Sequence, residues 1–133
     1  MARIRSIHPN ICEDEKLAEV DDPQLELFFI RLWMHLDDEG RCAFNPRLIK
    51  AALFPLVDRI TAESICTYVE QLRAFGFVHL YEVEGKVFMH VPTFKTYQKP
   101  NRPVPSKVPA PPNPVDSVTE HCGCSEYAVS VHG

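Results

Sequence analysis

Between Gly76 and Val91 the chain changes its hydrophobic period from 3.6 to 2, and no other feature restricts its fold as much. Phe77 to Val83 alternates, Glu84-Gly85 supplies a two-residue turn, and Lys86 to Val91 alternates again, which predicts a β-hairpin. The short loop fixes the register, so that Val83 faces Lys86, Tyr81 faces Phe88 and His79 faces His90 on one surface. Val78, Leu80, Val87, Met89 and Val91 then share the other surface, which must find an apolar partner.

That partner is legible upstream. Asp22 and Pro23 make a cap and first turn, after which Leu25, Phe28, Phe29, Leu32, Trp33 and Leu36 recur at offsets of three and four. This spacing makes Phe28, Phe29 and Trp33 core residues before it makes them a ligand platform. The helix should stop around Asp37 to Gly40, where acids oppose the C-terminal end of the dipole and Gly40 can take positive φ. The acidic run reads as a solvated helix end, because Arg41, Cys42, Ala43 and Phe44 lack the oxygen ligands of a calcium or magnesium loop. Residues 41–44 suit a short strand or bridge. Asn45-Pro46 opens a second helix through Leu48, Ile49, Ala52 and Leu53, ended by Pro55. A loop with Leu56 and Ile60 as inward anchors leads to Thr61, the cap of a third helix, Ala62 to about Phe75, with Ile65, Val69, Leu72 and Phe75 inward. The expected class is α+β: a winged helix-turn-helix of three helices plus a β-hairpin wing, with the third helix as recognition element and Glu84-Gly85 as the wing tip.

The flanks are weaker in pattern. Before Val20, Ile4, Ile7, Ile11 and Leu17 suggest an arm packed on the domain with a helical turn over residues 13–19; a disordered arm is the alternative. Residues 98–118 hold most of the chain's 12 prolines and almost no large apolar side chain, too little to offset the entropy of ordering them. The reading is therefore a domain over residues 1–97 and a flexible proline-rich tail over 98–133.

Several functions are disfavoured. No run of about 18 apolar residues occurs and the start lacks the apolar stretch of a signal peptide, so the expected place is a cytoplasm, without a membrane partner. The 5 cysteines have no framework spacing. Cys42 and Cys66 read as small buried side chains, and His121-Cys122-Gly123-Cys124 lacks the second cluster of a zinc knuckle, leaving adventitious metal binding or a tail-tail disulfide. His79 and His90 are fewer ligands than a zinc site needs. Neither metal nor other cofactor is expected, and the absence of a phosphate-cradling glycine loop, a nucleophile elbow or a zinc-hydrolase pair argues against an enzyme.

Charge then narrows the partner. The net charge of -4 conceals ten acidic and two basic side chains over residues 13–39, against five basic and no acidic over 85–107. A uniform phosphate-binding surface is excluded, while a basic patch on the hairpin and beyond is not. The candidate contacts to double-stranded DNA are Lys86, Lys95, Lys99 and Arg102 for phosphates, with Thr67, Gln71 and Arg73 for base edges or backbone. Glu63 and Glu70 oppose this unless they face away or accept from cytosine. The alternative is protein contact through Tyr81 and Phe88, or through Asp37, Asp38 and Glu39. A homodimer is a further expectation, since helix-turn-helix proteins commonly bind two half-sites.

Five stretches carry a family resemblance: Arg3-Ile4-Arg5-Ser6-Ile7-His8-Pro9; Leu32-Trp33 followed by Asp37-Asp38-Glu39-Gly40-Arg41; Ile49-Lys50-Ala51-Ala52-Leu53-Phe54-Pro55; Tyr81-Glu82-Val83-Glu84-Gly85-Lys86; and Pro92-Thr93-Phe94 with Tyr97-Gln98-Lys99-Pro100. In order and spacing, over about residues 3–102, the chain resembles the N-terminal winged-helix module of phage and prophage replication-initiation proteins. Lys50, Lys86, Lys95 and Lys99 fit that pattern, and His8 stands where a basic residue is common. The resemblance implies a phage-encoded DNA-binding protein of replication initiation or regulation, acting in the cytoplasm of a bacterial host. Relatives often continue into a larger domain that engages host helicase machinery. The proline-rich tail in its place makes a stand-alone regulator, or a factor that modulates or inhibits a host enzyme, the alternative.

Overall fold

Each long helix begins where a side-chain oxygen can accept an orphan N–H. In the computed structural model, which describes residues 3–112, Asp22 accepts from the Gln24 N–H at 2.9 Å and opens α2, Pro23–His35. Asn45 accepts from Leu48 at 3.3 Å and opens α3, Pro46–Leu53. Thr61 and Ser64 cap each other's backbone N–H and open α4, Ala62–Phe75. That helix ends on Gly76 at φ 83°, with Gly76 N–H donating to Arg73 and Phe77 N–H to Leu72, so two otherwise orphaned carbonyls are satisfied. Before these lie a 3-10 turn, Pro9–Glu13, and the short α1, Glu15–Glu19; a final turn, α5, spans Phe94–Tyr97.

The sheet has three antiparallel strands, β1 (Arg41–Ala43), β2 (His79–Val83) and β3 (Lys86–His90), in the order β1-β3-β2. The hairpin register is the expected one, with Val83 opposite Lys86 and His79 opposite His90. Glu84 and Gly85 take φ of 52° and 79°, the left-handed pair whose twist suits a two-residue hairpin. Beyond this, the Arg41–Ala43 stretch joins the hairpin as a third strand, pairing Arg41 with His90 and Ala43 with Phe88.

Leu80, Met89, Val78 and Val91 cover the helices as expected, meeting Phe28 and Leu32 of α2, Ile49 of α3, and Ile65, Val69 and Leu72 of α4. Burying each such side chain contributes about 1.5–3 kcal/mol. Cys42 and Cys66 are buried thiols, and burial with the nearby Asp37 carboxylate pushes Cys42 up to about 12. Among the described residues no helix is long and apolar enough to cross a membrane.

Four expectations need correction. Leu56 is not an inward anchor but 92 % exposed; Phe54 fills that place, buried beneath the Arg31 guanidinium, and Ile60 anchors the loop as expected, with the half-buried Val57 beside it. The arm packs on the domain, yet Ile4 and Ile7 are exposed; Leu17 is buried, and the strongest fastenings are Arg3 and Arg5. The acidic run is not a solvated helix end, since Asp38 is only 3 % exposed. The last contact with the core does not coincide with residue 97 either: the chain continues over the sheet, bonded as far as Pro109.

Candidate nucleic-acid interface

The connection between α3 and α4 is pinned to the core at both of its ends. Phe54 closes α3 by donating its N–H to Lys50, and its ring lies 4.6 Å under Arg31, which also donates to the Leu53 carbonyl at 2.7 Å. Turns from Val57 to Phe54 and from Ile60 to Val57 bring the buried Ile60 to the start of α4. With Ile65, Val69 and Leu72 inward, α4 leaves Glu63, Thr67, Glu70, Gln71 and Ala74 exposed at helical spacing.

Thr67 and Gln71 are thus on an open helix face as expected, the Thr67 hydroxyl donating back to the Glu63 carbonyl at 3.1 Å. Arg73 is not open: its guanidinium lies 2.9 Å from Glu70 and its side chain is 10 % exposed. At this i, i+3 spacing the pair satisfies itself, which withdraws Arg73 from the expected contacts and neutralises Glu70. Lys86 is exposed beside the hairpin tip. Two exposed arginines escaped the sequence reading, Arg47 in the first turn of α3 and Arg59 in the loop entering α4. Their places beside the two caps, Asn45 and Thr61, were the available signal.

The remaining expected cations form a separate group. Lys95 of α5 lies 3.2 Å from Glu39, and the exposed Lys99 and Arg102 follow on the stretch leading to Val104, whose N–H donates to Asp38 at 2.8 Å. None of the hydrogen-bond partners of this stretch lies on α3 or α4. Thr67, Gln71 and Arg73 share α4, Lys86 stands beside the hairpin tip, and Lys95, Lys99 and Arg102 follow on the stretch fastened to Glu39 and Asp38.

Asp38 is the centre of that second group. Arg5 reaches its Oδ1 at 2.9 Å while donating to the carbonyls of Trp33 and Leu36 at 3.0 and 2.8 Å, and Arg3 pairs with Oδ2. Burial pushes the Asp38 carboxyl up, but the Val104 N–H and the guanidiniums of Arg5 and Arg3 together hold it below the ordinary carboxylate value. Asp37 accepts from the N–H of Glu39 and of Arg41 and from the Ser106 hydroxyl. The acids proposed for protein contact are therefore occupied within the chain.

The aromatic strip is occupied as well. Tyr81 is 1 % exposed and donates to the Pro109 carbonyl at 2.7 Å, Phe88 packs on it at 5.7 Å, and Arg41 donates to the Val108 carbonyl at 3.2 Å. Burial of the Tyr81 hydroxyl pushes it up to about 12. The proline-containing segment 104–109 thus lies where a partner was expected. His79 and His90 face each other across the hairpin, His90 held below its ordinary value by burial, Arg41 and His79, and no group of three metal-ligating side chains occurs among the described residues. His121, Cys122 and Cys124 lie outside the described residues.

No family model, curated protein or solved structure matches the chain.

Proposed function

We propose that the chain is a winged helix-turn-helix module that binds duplex DNA, with α4 as recognition helix and the Glu84-Gly85 hairpin as wing. The observation that carries this reading is the uncovered outer face of α4, while the chain's own segment 104–109 covers the sheet. Thr67 and Gln71 on that face suit base edges, and Arg47, Arg59 and Lys86 suit flanking phosphates. A carboxylate on this face, such as that of Glu63, is compatible with the reading, since it can accept from a cytosine amino group in a major groove. The resemblance described above extends the reading to a phage protein of replication initiation or regulation in a bacterial cytoplasm. The second group of cations, Lys95, Lys99 and Arg102, plays no part in this footprint.

A salt titration on random duplex DNA tests it. Three phosphate contacts give a slope of log affinity against log salt of roughly -2.7. Arg59→Ala or Lys86→Ala should flatten the slope by about one unit on every sequence, whereas Gln71→Ala should change sequence preference. Binding weaker than about 100 µM at low salt, at the non-specific limit of such proteins, would remove the DNA reading.

A further inference from the structure

A cleft of about 400 Å³ opens between the N-terminal arm, α2 and α5. Its floor is aromatic: Phe29 lies 5.4 Å from Trp33, edge to face, and 5.2 Å from Phe77. Phe94 and Tyr97 line the α5 side, and Tyr97 is 48 % exposed. The walls are fixed. The Gln98 side chain exchanges two hydrogen bonds with the Ser6 backbone, at 2.7 and 3.0 Å, tying the arm to the end of α5.

The carboxylates at this cleft outnumber the cations near it, which are Lys16, the exposed Lys99 and the Arg5 guanidinium over the Phe94 ring, the last already paired with Asp38. No lysine or arginine lines it, whereas Glu13 and Asp14 do. Residues 13–22 hold six carboxylates and one cation, Lys16. Asp14 and Asp22 are engaged as helix caps, which leaves Glu13, Glu15, Glu19 and Asp21 exposed in water. Lys95, the cation of α5, is held by Glu39. The lining carboxylates disfavour a phosphate backbone here.

We propose that this cleft is a docking site for a basic segment of another protein, which inserts one large apolar side chain over Trp33 and lays its flanking lysines or arginines against the acids of residues 13–21. The volume is near the lower end of ligand cavities, roughly 300–1,000 Å³, and suits a single anchor residue. The carboxylates run on past the cleft along α1, farther than a small ligand would need and as a flanking peptide would use them. A buried aromatic or aliphatic anchor supplies most of the affinity at such sites, and complementary charge at the rim supplies encounter rate and orientation. This surface does not depend on the DNA reading, because it shares no residue with α3, α4 or the hairpin tip.

Trp33 is the chain's only tryptophan and stands in the cleft wall, so its emission reports occupancy directly. The probe is a short synthetic peptide with one central phenylalanine flanked by lysines, titrated into the full chain beside versions with central alanine or with glutamate flanks. The phenylalanine peptide should shift Trp33 emission to saturation, and the alanine version should bind about tenfold more weakly, or 1.4 kcal/mol. The glutamate version should not bind. Tyr97→Ala should weaken binding about tenfold, and a Glu13→Lys, Glu15→Lys chain, altered only at exposed positions, should weaken it and flatten its salt dependence. Equal binding of the phenylalanine and alanine peptides, binding without change at Trp33, or no binding below about 1 mM, about -4.1 kcal/mol, would each overturn the proposal.

Discussion

Arg5→Met should be the most damaging single change outside the apolar core. The side chain is 4 % exposed and serves three acceptors at once: the Asp38 carboxylate and the carbonyls of Trp33 and Leu36. Its guanidinium also lies 4.9 Å from the centre of the Phe94 ring. Removing one partner of a buried ion pair costs about 3–5 kcal/mol because the other charge stays behind, and methionine replaces the volume without the donors. Arg3 and the Val104 N–H remain on Asp38, which sets the expectation at the low end, about 3 kcal/mol. For a domain of this size each kcal/mol lowers Tm by about 4–8 °C, so the midpoint should fall by roughly 12–24 °C. Urea unfolding followed by Trp33 emission measures the loss. Arg3→Met, at a side chain 38 % exposed, should lose no more than about 1 kcal/mol. Arg5→Met with Asp38→Leu should lose less than the two single changes added, since no charge is left unpaired. A loss below about 1 kcal/mol for Arg5→Met would refute the view that a buried charge fastens the arm.

Acid should act in two stages. His35 and His90 titrate below their ordinary value, chiefly through burial, so stability is complete above about pH 6.5 and falls as pH drops through their lowered values in the fold. Asp38 is held low in the fold, so its contribution is complete above about pH 4 and is lost below it; Asp38→Asn should flatten that lower limb in urea titrations at successive pH. Gly76→Ala, at φ +83° with open space around it, should cost about 1–2 kcal/mol by denaturant melt. Gly40→Ala should cost about 1–3 kcal/mol more, because at φ +80° its Cβ would lie 2.6 Å from the Cβ of Phe94. Tyr81→Phe should lose about 1 kcal/mol and speed amide exchange at Val108; wild-type exchange there as fast as in a free peptide would refute the segment's attachment.

The helices and hairpin were readable because their determinants are local. Asp22, Asn45 and Thr61 act within three residues of themselves, and Glu84-Gly85 sets its own register. The third strand was half visible, as a short extended stretch without a stated neighbour. What lay hidden depends on distance along the chain. Arg5 and Asp38 are 33 residues apart, and no period marks their meeting. The segment 104–109 was hidden for a second reason. Prolines donate no N–H, so the stretch reads as unable to build structure, yet its carbonyls remain acceptors, and Arg41 and Tyr81 supply the donors from β1 and β2. For the candidate interface, Thr67 and Gln71 followed from helical spacing, and the i, i+3 pairing of Arg73 with Glu70 was open to the same reading, whereas the pairing of Lys95 with Glu39 is a tertiary fact.

The Oδ2 atom of Asp38 also determines what kind of object the folded chain is. Arg3 and the Val104 N–H both bond to Oδ2, one in the arm that precedes α1 and the other beyond α5. The polypeptide from residue 3 to residue 104 is thus a ring, closed by charge and hydrogen bonding instead of a covalent link. A ring can be opened elsewhere: a peptide tether from residue 104 to residue 3, with new ends cut at the protruding Leu56, keeps every helix and strand whole, moves α4 and the hairpin ahead of α1 and α2 in the chain, and adds a covalent link beside the Asp38 closure.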